Sequence, residues 1–143
     1  MSAPVVVDAN VFLRAIVRAQ TPQDVSNAAE AETLFIRCEQ GLLELTTNAA
    51  VVAEVVFILS SKRHYALNRE ETVARLVPLI RLPGCHLFDK EVLLRALERW
   101  QQNPRVSFVD AVVIEQAFAG ESEVSTFDHE VRRTPGLKVW RPE

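Results

Sequence analysis

The chain alternates between two kinds of apolar pattern. Short continuous runs of β-branched and aliphatic residues recur between longer stretches whose apolar positions repeat every three to four residues. The first predict buried strands and the second amphipathic helices. Pro4 to Asp8 (PVVVD) reads as a strand fenced by proline. Val11 to Ala19 follows as a helix, with Val11, Phe12, Ala15, Ile16 and Ala19 at helical spacing. Thr21-Pro22 predicts an N-cap with proline at the first helical position, and that helix ends near Gly41. Leu42 to Thr46 is a second strand and Asn48 to Ser61 a strongly apolar helix. Asn68 with Glu71 resembles a capping box opening a helix through Leu82, which Pro78 should kink. Cys85 to Phe88 is a third strand, Asp89 caps a helix through Gln101, and Ser107 caps another that ends near Gly120. Val124 to Thr126, a short helical turn from Asp128 to Arg132, and a fifth strand at Leu137 to Trp140 complete the pattern. No repeat, low-complexity tract or linker interrupts it.

Strands alternating with helices imply crossover connections. The expected fold is therefore α/β, a mostly parallel central sheet of about five strands flanked by helices. Such sheets carry ligands in the crevice outside the carboxyl ends of their strands. The 143 residues suit one domain spanning 1–143. No apolar run approaches the ~20 residues of a membrane helix, and no signal peptide is evident at the N-terminus. Cys38 and Cys85 fit no metal spacing and lie among apolar residues. They read as buried free thiols of a reducing compartment, which places the chain in the cytoplasm.

Against this background some acids stand out. Asp8 ends the first strand, where an α/β fold places its chemistry, although an acid there also reads as a helix N-cap. Glu54 is the only charged residue of AAVVAEVVFIL, with Ala50, Val51, Phe57 and Ile58 three and four positions away. A buried carboxylate needs a partner or a metal, and the alternative is a glutamate at the rim of a buried helix, reaching water. Asp110 falls at the third position of the helix opened by Ser107, where a capping acid also suits the dipole. Asp128 follows a short strand and could equally be an N-cap. Jointly, three acids at strand ends or helix starts and a fourth within an apolar helix would gather along one edge of a parallel sheet. Clustered carboxylates repel unless a cation joins them. Oxygen ligands without a usable His or Cys set point to Mg²⁺ or Mn²⁺, ions that bind phosphates and activate water for phosphodiester hydrolysis.

The net charge of −3 argues against a simple cationic nucleic-acid binder. Setting four of the 19 acids aside as metal ligands leaves 15 against 16 bases, and the arginines could then meet phosphates. Candidate phosphate contacts are Arg14 and Arg18, one helical turn apart, and Arg132 and Arg133 after Asp128; a solvated surface is the other reading of each. His64, His86 and His129 are scattered and lack metal-ligand partners. Glu115, five residues beyond Asp110, sits ~140° around the helix and should face elsewhere. Trp100 and Trp140 read as packing residues.

The segments VVVDANVFLR, VVAEVVFIL, SFVDAVVIEQA and STFDHEV, in that order, resemble the PIN domain, most closely the VapC-type toxin ribonucleases of toxin–antitoxin modules. The resemblance covers nearly the whole chain. It implies metal-site acids at Asp8, Glu54, Asp110 and Asp128, with Asn10 and Thr126 as supporting polar residues. Asn10 stands where many relatives carry Ser or Thr. The implied activity is Mg²⁺- or Mn²⁺-dependent endoribonuclease cleavage of RNA, with a small antitoxin and a second copy of the chain as partners. The sequence adds that Val11 to Ala19 and Thr21 to Gln40 carry more apolar residues than one buried stripe needs, among them Ala28, Ala29, Ala31, Leu34, Phe35 and Ile36. A non-catalytic PIN-fold interaction module is the alternative, and retention of four acids argues against it. A phosphoacceptor receiver would need paired acids at the first strand end and a lysine after a preceding strand, whereas Lys138 falls within the fifth. A haloacid-dehalogenase-like phosphatase needs Asp-x-Asp, which Asn10 breaks.

Overall fold

Three short stretches of β-branched and aliphatic sequence pair in parallel at the heart of the N-terminal part of the chain. The computed structural model describes residues 3–143. They form two compact units, one running up to Lys90 and the other spanning Glu91–Glu143. In the first unit, β1 (Val5–Val6), β2 (Leu45–Thr47) and β3 (Cys85–Leu87) form a sheet in the order β1-β2-β3. Val5 is in register with Leu45, and Leu45 with Cys85. Helices α1 (Ala9–Ile16) and α2 (Pro22–Glu39) connect β1 to β2. Helices α3 (Ala49–Ser60) and α4 (Arg69–Ile80) connect β2 to β3. Parallel pairing demands such crossovers, because a tight turn can only reverse a strand.

Local sequence sets each boundary. Asp8, Thr21, Asn48 and Asn68 each cap a helix by accepting a hydrogen bond from the backbone N–H three residues on, at 3.3, 3.0, 3.0 and 2.7 Å. Gly41, at φ +74°, follows α2 and lets the chain leave it in the left-handed region. Gly84 has a different task. A Cβ there would collide with the carbonyl oxygens of Leu43 and Cys38 and with the Cys38 Sγ. Its carbonyl accepts from the Leu45 N–H at 2.8 Å and so leads β3 onto β2. The core behind the sheet holds Phe12, Leu45, Val52, Val55, Val56, Leu59, Leu76 and Ile80, all essentially inaccessible. The Phe12 and Phe35 rings tilt against each other with centroids 5.4 Å apart, joining α1 to α2.

Cys38 and Cys85 are free and buried. Burial raises the thiol pKa of both, that of Cys85 to about 11 despite the opposing charge of Lys90.

The second unit contains α5 (Lys90–Gln102, counted from Glu91), α6 (Phe108–Gly120) and α7 (His129–Arg132). Trp100 and Phe108 meet edge to face, 6.3 Å between centroids.

Several boundaries differ from the sequence reading. The sheet has three strands among the described residues, where about five were expected. The predicted fourth and fifth strands reduce to one parallel bridge, Val124 to Val139. The Val124 N–H donates to the Lys138 carbonyl and the Trp140 N–H to the Val124 carbonyl, both at 2.8 Å, and no further rung follows. The chain turns at once into the Thr126–Asp128 cap, which leaves no length for a ladder.

β1 is not the buried strand its valines suggested. Val6 is 76 % exposed, and Val7, just past the strand, is the buried one at 3 %. Only one side of β1 pairs within the sheet, through Val5 N–H to Glu44 O and Val7 N–H to Thr46 O. Asp89 does not adopt an extended capping conformation but a left-handed turn at φ +58°. The α4 helix runs through Pro78 to Ile80. Trp140 is exposed rather than packed, whereas Trp100 is buried.

Candidate metal and nucleic-acid site

Asp8 leaves β1 two residues beyond its last paired residue and caps α1. Its Oδ1 accepts the Val11 N–H at 3.3 Å, a long bond that leaves most of the carboxylate in water. Asn10, in the first turn of α1, is exposed. The Thr47 hydroxyl, at the end of β2, donates to the Val7 carbonyl at 2.9 Å and fixes the backbone entering Asp8.

Glu54 does not lie against apolar neighbours in a buried setting. The face of α3 it shares with Ala50 and Phe57 is open to solvent, with Phe57 65 % exposed. Val52, Val55, Val56 and Leu59 bury the opposite face. The helix is apolar on both sides, so its sequence pattern could not distinguish the two. Glu54 makes no hydrogen bond or ion pair with the described residues. Phe57 touches His64 edge to face at 6.4 Å.

In the second unit, Ser107 caps α6 by accepting the Asp110 N–H at 3.1 Å, which sets Asp110 in the first turn with its carboxylate uncommitted. Asp128 caps α7, its Oδ1 accepting the Val131 N–H at 2.9 Å. The Thr126 Oγ1 accepts the Asp128 N–H at 3.1 Å and holds that acid's backbone. Asp110 and Asp128 therefore both stand at helix starts, in the first turn and at the cap respectively. No described residue forms a salt bridge with Asp8, Glu54, Asp110 or Asp128.

The arginines divide. Arg14 donates to the Tyr65 hydroxyl at 2.8 Å and pairs with Asp24 at 3.0 Å, which commits it to holding α1, α2 and the segment after α3 together. Arg18, beyond α1, is exposed. Arg132 donates from Nε to the Thr126 carbonyl at 2.7 Å, and its guanidinium lies 5.9 Å from the Phe127 ring centroid. Arg133 stays exposed, 3.7 Å from Glu130.

Two features escaped the sequence reading. Glu115 is the truly buried carboxylate of the chain's apolar helices, paired with Arg99 Nε at 2.7 Å. The i, i+5 spacing from Asp110 placed it away from that acid but gave no hint of its partner on α5. Phe127 is 90 % exposed, and only its isolation in a polar segment could have signalled this.

The donor chemistry fits a hard divalent cation: four carboxylates, none neutralised by a lysine or arginine. Asp8 and Glu54 lie in the first unit, and Asp110 and Asp128 in the second. Among the described residues, no group of three or more His, Cys, Asp or Glu side chains is assembled that could hold a metal.

The first unit is an α/β arrangement whose first parallel strand leads directly into an acid, and the second unit carries further acids at helix starts. The chain belongs to the PIN domain family, whose match extends over residues 5–137. PIN domains are generally nucleases, and PIN nucleases typically use divalent metals. A search of curated proteins finds no match. No described helix is long and apolar enough to cross a membrane.

Proposed function

We propose that this PIN domain is a Mg²⁺- or Mn²⁺-dependent endoribonuclease of the VapC type, the toxin of a toxin–antitoxin pair acting in the cytoplasm. The observation that carries this reading is that none of the four acids is spent on a cation, in a chain with 16 lysines and arginines. Asp8, Glu54, Asp110 and Asp128 would hold the metal. When bound, the ion supplies Lewis acidity toward the phosphodiester and lowers the pKa of an attacking water. Asn10, exposed beside Asp8, offers an amide that both donates and accepts. Thr126 acts by holding Asp128, since its hydroxyl already accepts that residue's N–H. Arg18, Arg132 and Arg133 supply positive charge toward the RNA backbone. Arg14 is engaged with Asp24 and Tyr65 and serves the fold first.

The partner reading draws on the surface of α2. Ala31 and Phe35 are buried, while Val25 and Ile36 on the same helix are exposed. A groove of about 340 Å³ runs past Val6, Val11 and Leu34. Apolar surface of this kind suits a homodimer contact or an antitoxin segment.

The test uses purified chain and single-stranded RNA. Asp8→Asn or Asp110→Asn lowers cleavage at least about 100-fold, and EDTA abolishes it. Undiminished cleavage by either variant, with contaminating nuclease excluded, overturns the metal assignment. Growth arrest by this chain that its neighbouring small gene fails to relieve overturns the toxin–antitoxin reading alone. Light scattering at micromolar concentration reads the dimer directly.

A further inference from the structure

Phe127 presents almost its whole ring to solvent from a loop that is otherwise tightly held. On one side the Thr126 hydroxyl accepts the Asp128 N–H; on the other Asp128 caps α7. The Arg132 Nε bond to the Thr126 carbonyl closes the loop and sets the guanidinium 5.9 Å from the ring. A mobile loop tip would have no such bonds. The backbone is fixed, a cation is fixed beside an aromatic face, and the ring buries nothing within the chain.

We infer that Phe127, with Arg132 beside it, is a stacking platform for one unpaired nucleobase of the RNA substrate. This deepens the nuclease reading and rests on it. A nucleotide is the ligand that uses both parts: its base has a π face for the ring, and its phosphate has negative charge for the guanidinium. An apolar protein partner covering Phe127 would have to strip water from Arg132 and from the Asp128 carboxylate next in sequence, at a cost that ring burial would have to offset. Because Phe127 precedes Asp128, the stacked base would set which phosphodiester is offered to that acid. Phe127 is therefore a positioning residue that selects the cleavage register.

The test is fluorescence anisotropy with the full chain in Ca²⁺ buffer, using a labelled twelve-nucleotide oligoadenylate and a strand of the same length made of abasic ribose phosphates. Intactness of the RNA is verified on a gel. Phe127→Ala weakens binding of the oligoadenylate about 10-fold and leaves the abasic strand unchanged. Phe127→Trp restores binding and Phe127→Leu does not. The melting temperature of all three variants stays that of the wild type, since the ring packs against no core. Equal binding by wild type and Phe127→Ala, or full rescue by leucine, overturns the platform while RNA cleavage by the wild type leaves the nuclease reading standing. A change from dimer to monomer in Phe127→Ala, with RNA affinity untouched, assigns the ring to a protein interface instead and also overturns it. Failure of the wild type both to bind and to cleave RNA overturns the two readings together.

Discussion

Glu54 in α3 and Glu115 in α6 each interrupt an apolar helix, and they end in opposite surroundings. Glu115 is buried, its side chain 9 % exposed, and its charge is met by Arg99 at 2.7 Å. Glu54 stands on an open face with Phe57 and forms no salt bridge with a described residue. In the sequence the ranking was reversed, because AAVVAEVVFIL looks the more hostile environment for a charge. The difference teaches that a carboxylate among apolar residues is either paired or exposed, and only the exposed one is available to a ligand from outside. Burial with pairing marks a structural acid.

The contrast can be broken most sharply at Glu54. Glu54→Gln should lower metal-dependent RNA cleavage about 100-fold or more, comparable to losing one electrostatic group from a hydrolytic site. It should leave the melting temperature unchanged, because the side chain makes no internal bond. Titration with Mn²⁺, followed by thermal unfolding, should raise the melting temperature of the wild type and raise that of the variant less. Equal Mn²⁺ responses would show that Glu54 is only a surface glutamate.

Glu115 is the mirror case. Glu115→Gln leaves Arg99 without its counter-charge. Removing one partner of a fully buried pair costs about 3–5 kcal/mol, but Arg99 keeps 25 % of its side chain in water, so about 2–3 kcal/mol is the better figure here. Thermal unfolding should drop by roughly 8 °C. Below the new transition the folded variant should cleave RNA at the wild-type rate per molecule. A loss of cleavage without a loss of stability would move Glu115 into the catalytic set.

A second buried group completes the series. Cys85 is buried and stays neutral, its pKa pushed by burial from the ordinary 9.0 to about 11 against the opposing charge of Lys90. The raised value means that only the unfolded chain releases the proton between those limits. The contribution is therefore intact below about pH 9 and is lost as pH climbs through about 11, a total of about 3 kcal/mol. Urea unfolding of wild type and Cys85→Ala across this window isolates it: the variant starts less stable, from its cavity, and falls less steeply. Parallel curves would contradict the shift.

The parts of the fold that local chemistry dictates were legible in advance. Thr21, Asn48, Asn68 and Ser107 cap helices where side-chain oxygens precede apolar periodicity, and strands two and three lie where short aliphatic runs sit between helices. What could not be read depends on long-range pairing. Val5 and Val6 have a strand composition, but whether they are covered is decided by neighbours on each side of β1. Val124 and Val139 show that a strand-like run yields only one rung when the chain must turn immediately. At the candidate site, the positions of the acids on their elements followed from spacing. Their freedom from cations did not, because the chain's thirteen arginines choose partners in three dimensions: Arg14 takes Asp24 and Arg99 takes Glu115.

Gly84 and Gly41 would behave very differently under selection. At Gly84 any side chain meets the carbonyls of Leu43 and Cys38, both backbone atoms that cannot swing away. At Gly41 a Cβ meets nothing within 4 Å, and the only obstacle is the left-handed φ, which asparagine tolerates. A saturation library sorted for folded protein should therefore return glycine alone at position 84 and a mixture of glycine, asparagine and aspartate at 41. The two positions divide one residue type into a packing requirement and a conformational preference. Deep sequencing of the survivors would expose where the entry to β3 admits no alternative spelling.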